Sequence, residues 1–306
     1  MPPLKTDIQQ GKAGRKGAVS VSVLERFAPV RNRGKRKMIG KEEAVMIHIS
    51  VKNQAGQVLF ETAHQEEALL CFNRTWEEGD AIVITAPAGA HAAVGIDASM
   101  LQGEVYLPSG KMVWRVPFGE LRLSYQPGLF EGSRHIVSAR LLAAAETRAC
   151  RDIARNPLDL RGDTGFFPHC TANVETRNES VFAARNVIDG LRFNTSHGEW
   201  PYESWGIGAR EDAWCLLDFG REVTVQSMAL TLRADFPHDA YWVSGHVVDS
   251  NGNDISFPLE KTKDRQFIDL GGRRVRWLRL ERMVKSDDPS AFPSLRAWEV
   301  FGYDGF

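Results

Sequence analysis

The sequence predicts an all-β protein made of two antiparallel β-sandwiches. Three observations predict it. From Ala44 to about Arg140, short runs alternate apolar and polar residues at a spacing of ~8–12 residues, with Gly, Pro and Asn turns between them. Beyond residue 165 the same rhythm returns. Between the two, the rhythm breaks over residues 142–165, where an Ala-rich stretch is followed by Asn156–Pro157, and the residue before a proline is pushed out of the helical region. At 306 residues there is enough chain for two such domains.

Composition narrows the function classes. With 43% hydrophobic and 25% charged residues the chain is globular, and a formal net charge of −1 provides no global field to draw in nucleic acid or a membrane. The charge is uneven: residues 1–40 hold ten Lys/Arg against Asp7 and Glu25. This basic segment is expected to be partly disordered. Its densest part, RNRGKRKMIGK at 31–41, reads as a solvated loop or as a phosphate-binding tail. No aromatic is interleaved there for base stacking, so nucleic acid is not an expected partner. No apolar run approaches the ~18 residues of a membrane span, and the first residues have no secretory apolar core. Taken at face value this predicts a cytoplasmic protein, or an extracellular one if the start site is incomplete or export is non-classical. Cys71, Cys150, Cys170 and Cys215 lack zinc or C-x-x-C spacing and are expected to be reduced and buried.

In chain order, Val19–Phe27 alternates and could form a first strand. The N-terminal sandwich is expected over residues 41–145. Its strands are Val45–Val51, Val58–Phe60 after the turn Asn53–Gly56, Ala68–Phe72, Ala81–Ile84, Ala92–Ile96, Gly103–Leu107, Met112–Val116 and His135–Leu141. Nothing in this domain marks a site. Leu141–Cys150 reads as a helical turn or an extended linker. The second domain, residues 155–306, has an early strand and loop at Phe167–Thr176 and a short strand at Cys215–Phe219 closed by Gly220. A core strand follows at Val223–Leu232, then a hairpin from Tyr241–Val248 to Ile255–Leu259. The last strands are Gln266–Leu270, Arg274–Leu280 and Pro293–Gly302.

The order of residues in this second half is distinctive. From Asn186 it reads NVIDGLRFNTSHGEWPYESWGIGAREDAWCLLDFG: Asp189–Gly190, a polar loop with Trp200 and Trp205, Asp212-x-Trp214, then apolar residues ending at Asp218–Gly220. The chain closes on Leu295, Glu299 and Gly302. This resembles a discoidin-type domain, also called coagulation-factor C-type or galactose-binding-like, a family that includes the family 32 carbohydrate-binding modules. The resemblance covers about residues 155–306. It implies a jelly roll that binds sugar through loops at one end.

The residues are consistent with that chemistry. A pyranose has an apolar CH face and a rim of hydroxyls, so it needs an aromatic plate and rigid hydrogen-bonding groups. Six of the eight tryptophans lie beyond residue 199. Trp214, Trp277 and Trp298 alternate with charged neighbours and read as packing residues, and the resemblance assigns Trp205 to the core. Trp200, in a loop of Gly, Glu, Pro and Tyr, is the candidate plate. A second cluster, LRADFPHDAYW from Leu232, offers Arg233 and His238 as donors, Asp235 or Asp239 as acceptor and Trp242 as another plate. Its alternative is a salt-bridged surface loop. His197 and Glu199 are further candidates. No G-x-S-x-G, H-E-x-x-H, phosphate loop or G-x-G-x-x-G is present, so no catalytic residue is assigned and an enzyme is not expected.

The resemblance also implies a structural calcium held by Asp189 and Glu299, with carbonyls around Asn186, Arg192 and Asn194 completing the six or more oxygens that calcium requires. The alternative is that Asp189 forms only a turn and Glu299 pairs with an arginine. The expected function is non-catalytic binding of a galactose-type or other glycan, with affinity gained through oligomers or a second site. A protein–protein interaction module on the same fold and a glycan-active enzyme are the alternatives.

Overall fold

Alternating burial builds the first sandwich. In β3 (Glu67–Asn73) every second side chain is buried, and β8 (Arg134–Leu141) pairs with it antiparallel from Glu67↔Arg140 to Asn73↔Arg134. The sheet continues through β5 (Ala90–Gly95) to β6 (Gly103–Leu107). The facing sheet runs in the order β2 (Val58–His64), β1 (Ile47–Lys52), β4 (Ala81–Thr85), β7 (Lys111–Arg115). Side chains from both sheets, among them Ile49, Ile82, Val94 and Trp114, fill the space between them. The structure is a computed structural model and describes residues 46–194, 198–234 and 240–304. The expected strand at Val19–Phe27 and the basic segment 1–40 lie outside the described residues.

A helical turn, α1 (Ala144–Arg148), follows, with Glu146 accepting from the Ala143 N–H at 2.8 Å. The second domain forms one antiparallel sheet network. Its central run is β11 (Trp205–Gly206), β16 (Ser294–Asp304), β12 (Cys215–Leu232), β15 (Gln266–Lys285), β13 (Trp242–Asp249) and β14 (Asp254–Pro258). Short β9 (Arg151–Asp152) pairs with β16, and β10 (His169–Ala172) pairs with β12. The fold class is as expected: all-β, antiparallel and sandwich-like. The sequence divided β12 and β15 into two strands each. Both are continuous, with register shifts between Asp218 and Val223 and between Val225 and Ser227. The glycines that read as strand ends sit at bulges, where an extra residue bends a strand without ending it.

The two sandwiches are joined by more than a linker. Leu158 and Phe166, from the start of the second domain, are fully buried in the first core. Each such burial contributes about 1.5–3 kcal/mol. The Trp114 indole N–H donates to the Leu158 carbonyl at 2.9 Å. Tyr106 and Phe167 exchange both main-chain hydrogen bonds, at 2.8 and 3.1 Å. Asp304, on the last strand, accepts from Arg151 at 3.1 Å and lies 3.4 Å from His91 of the first sandwich.

Half of the cysteines depart from expectation. Cys170 and Cys215 are buried, on the paired strands β10 and β12, but Cys71 and Cys150 are exposed. Cys71 occupies an outward position of β3, whose alternation places it opposite the core. Among the described residues no helix is long and apolar enough to cross a membrane.

Candidate functional site

A concave site lies where the sandwiches meet. It is a cavity of about 250 Å³. The first sandwich lines it with the loop Ser99–Leu101 and the segment Ser124–Leu129, including Tyr125 and Gln126. The second contributes Arg185, Asp189, Trp200 and Glu203.

The 3₁₀ turn Ala184–Ile188 is buried at every position and sets the floor. Within it the Arg185 guanidinium donates to the carbonyls of Asp159 at 2.6 Å and Pro157 at 3.0 Å, and to Asn186 Oδ1 at 3.1 Å. It also stacks over the Tyr125 ring at 4.8 Å, which fixes that ring at the cavity wall. The turn ends at Asp189, whose Oδ1 accepts the Leu191 N–H at 2.8 Å. Gly190 follows at φ +88°, and a Cβ there would stand 2.9 Å from Arg155 Nε. Only glycine meets both demands.

Behind the wall sits Arg296, with no solvent exposure. Its guanidinium donates to the Asn186 carbonyl at 3.1 Å, the Phe193 carbonyl at 3.3 Å and Asp189 Oδ2 at 3.2 Å, and lies 3.5 Å from Glu203 Oε1. Glu203 is also fully buried. Its Oε2 accepts the Tyr202 N–H at 2.8 Å, while Oε1 accepts no hydrogen bond among the described residues. Burial pushes the pKa values of both carboxyls up, against the pull of Arg296. The result is a largely apolar pocket with aromatic walls, backed by two acids that share Arg296.

The predicted residues are distributed as follows. Trp200 lines the cavity and is half-buried. Arg233 was expected to donate to ligand hydroxyls. It is buried instead, with Nη1 donating to the Tyr202 carbonyl at 2.6 Å, and so it props the loop that carries Glu203. Trp242 was expected as a second plate. It is in the core, with its ring 6.2 Å from that of Trp205, because it opens β13 on the inward side. His197, Asp235, His238 and Asp239 lie outside the described residues.

The expected calcium ligands do not fit that ion. Asp189 and the Asn186 carbonyl both turn to Arg296, so a guanidinium holds the place assigned to the metal. Glu299 is gripped at both oxygens by Arg265, at 2.6 and 2.8 Å, and lines a different cavity. The alternative reading of a turn residue and an arginine partner describes these two acids. Among the described residues no group of three or more His, Cys, Asp or Glu could hold a metal.

Sequence reasoning missed Tyr125, Gln126, Arg185, Glu203 and Arg296. Arg296 alone had a visible signal, a single charge within the apolar run around Leu295, Ala297 and Trp298.

No family model matches the sequence, and no curated protein matches it. Solved structures do overlap about half of the chain. The chitosan-binding module 1 of a chitosanase/glucanase from Paenibacillus sp. IK-5 is 18% identical, with 50% of this chain and 99% of that one covered at a TM-score of 0.35. A Streptococcus pneumoniae fucose-binding module is 18% identical over 50% of this chain and 95% of its own, at a TM-score of 0.35. The lectin domain of lectinolysin, complexed with Lewis B antigen, is 17% identical over 49% and 96%, at a TM-score of 0.37. Likenesses this low establish neither a family nor a ligand for this chain.

Proposed function

We propose that this protein binds carbohydrate without transforming it, holding one sugar unit in the cavity between the sandwiches. The observation that supports this most directly is that Trp200 and Tyr125 line one cavity together with the Glu203 carboxylate. An aromatic face takes the CH side of a pyranose, and Glu203 Oε1, ion-paired with Arg296 at 3.5 Å but accepting no hydrogen bond among the described residues, keeps a lone pair for a ligand hydroxyl. Gln126 adds a polar side chain to the lining. The enclosed volume suits one ring rather than a chain, and a single-ring site in the millimolar range corresponds to roughly 4 kcal/mol.

The geometry argues against glycoside hydrolysis at this pair of acids. Two catalytic carboxyls must leave the glycosidic bond between them, roughly 5–9.5 Å apart. Here Arg296 Nη2 occupies the space between Asp189 and Glu203.

A glycan array with the intact protein and with Trp200→Ala tests the reading. The expected result is a set of glycans bound by the wild type and lost in the variant. Binding that survives Trp200→Ala unchanged would remove this cavity as the site. A folded wild type that binds no glycan would remove the function.

A further inference from the structure

A second cavity, of about 360 Å³, lies on the other side of the Asp189–Arg192 turn. Asp189 and Leu191 line the first cavity, Gly190 and Arg192 line the second, and Leu101 lines both. The two spaces are thus neighbours across one turn. Their chemistry differs. The second is ringed by three guanidinium groups, Arg155, Arg192 and Arg265, facing two acids, Asp152 and Glu299.

The hydrogen bonds show which of these charges are committed. Arg265 is used on Glu299 through two bonds. Asp152 Oδ1 is used on the backbone N–H groups of Ala154, at 3.1 Å, and Val300, at 3.0 Å. Arg192 comes no nearer than 3.9 Å to Glu299, and the bond from Arg155 to the Gln102 carbonyl is 3.5 Å long. Both are exposed side chains, so their planar forks keep donors for something else. Arg155 is also held in position, lying across Gly190 where a side chain at that residue would displace it. One positive charge is in excess, with two guanidinium groups spare beside the pocket proposed to hold a sugar.

We infer that the second cavity is an anion subsite and that the glycan is an acidic one, with a carboxylate or sulfate group on the unit next to the one at Trp200. The inference rests on the carbohydrate reading of the first cavity. Arg155 and Arg192 take the acid group through paired N–H donors, the geometry in which guanidinium discriminates carboxylate and sulfate oxygens from neutral hydroxyls. A neutral glycan would fill the Trp200 cavity and leave these donors to water.

Titration calorimetry on the intact protein tests it with three probes: a neutral galactan, polygalacturonate and a sulfated galactan. Wild-type protein is expected to bind at least one acidic probe more tightly than the neutral one, and whichever acidic probe wins identifies the acid group. Arg155→Gln and Arg192→Gln should each weaken acidic binding by roughly tenfold, the scale of a charge-assisted hydrogen bond, and leave neutral binding unchanged. Trp200→Ala should weaken both. Equal affinity for neutral and acidic probes, indifference to both arginine substitutions, or equal competition by polyglutamate would overturn the acidic-glycan inference while leaving the sugar pocket in place. Failure of all three probes to bind, in protein that also binds nothing on the array, would remove the carbohydrate reading and this inference with it.

Discussion

Arg296 Nη2 lies 3.2 Å from Asp189 Oδ2 and 3.5 Å from Glu203 Oε1, and all three side chains are buried. The arginine opposes, without cancelling, the burial that raises the pKa of both acids, and it ties the Asn186 and Phe193 carbonyls to the same point. It therefore performs the bracing expected of a bound cation. Arg296→Ala should cost about 3–5 kcal/mol, the range for removing one partner from a buried ion pair. Neither calcium nor a chelator should move the melting temperature of the wild type. A clear rise with calcium would show that a metal site exists apart from the arginine.

Asp152 gives the fold a pH dependence of defined sign. Burial raises its pKa to about 6, helped by the neighbouring charge of Glu299 and opposed by the Val300 N–H and by Arg155. A raised carboxyl favours the fold when protonated. Its contribution is fully present below the ordinary value near 3.8 and is lost as pH climbs through about 6. Asp152→Asn keeps the Oδ1 acceptor and removes the charge. It should stabilise the protein at pH 7.5 by on the order of 2 kcal/mol, allowing for partial exposure, and give nothing at pH 3.5. Denaturant titrations at the two pH values measure this, and an equal effect at both would refute it.

The two sandwiches should melt together. Leu158 and Phe166 fill the first core from the second domain, and Tyr106 pairs with Phe167 across the seam. Opening either half exposes the other. Calorimetry should give one transition whose van't Hoff and calorimetric enthalpies agree. Two separated transitions would show the seam to be weaker than its contacts indicate.

The cysteines should divide evenly in a thiol assay. Cys71 and Cys150 are exposed and should react with a soluble disulfide reagent in the folded protein. Cys170 and Cys215 are buried with sulfurs 3.2 Å apart, and burial raises the Cys170 pKa well above its usual value. They should react only in denaturant. Fast reaction of all four in the native state would place the second pair nearer solvent than it is here.

The strands were legible where one face is wet. The alternation of β3 and β8 is plain in Glu67–Asn73 and Arg134–Leu141, because each side chain chooses between core and water. Strand ends were not legible in β12 and β15. Gly220 and the pair Gly271–Gly272 have positive φ, as a turn would require, but they bend continuous strands. For the site, Trp200 could be found from its Gly/Pro/Tyr surroundings, which offer no core. Trp242 was misread because a strand's first residue adjoins a polar loop and can still point inward. Tyr125 and Gln126 were out of reach. They come from the other sandwich, and only the folded seam brings them to Trp200.

That seam has a consequence for how the protein can diversify. A binding module with its whole site on its own loops can be cut from one gene and joined to another with its ligand preference intact. Here Tyr125 and Gln126 belong to one half and Trp200 and Glu203 to the other, with Leu158 and Phe166 anchoring them together. Recombination between the halves would divide the lining of the cavity, so the two must be inherited as a pair. The shape of the cavity can then drift through substitutions in the first sandwich while every residue of the second domain stays fixed.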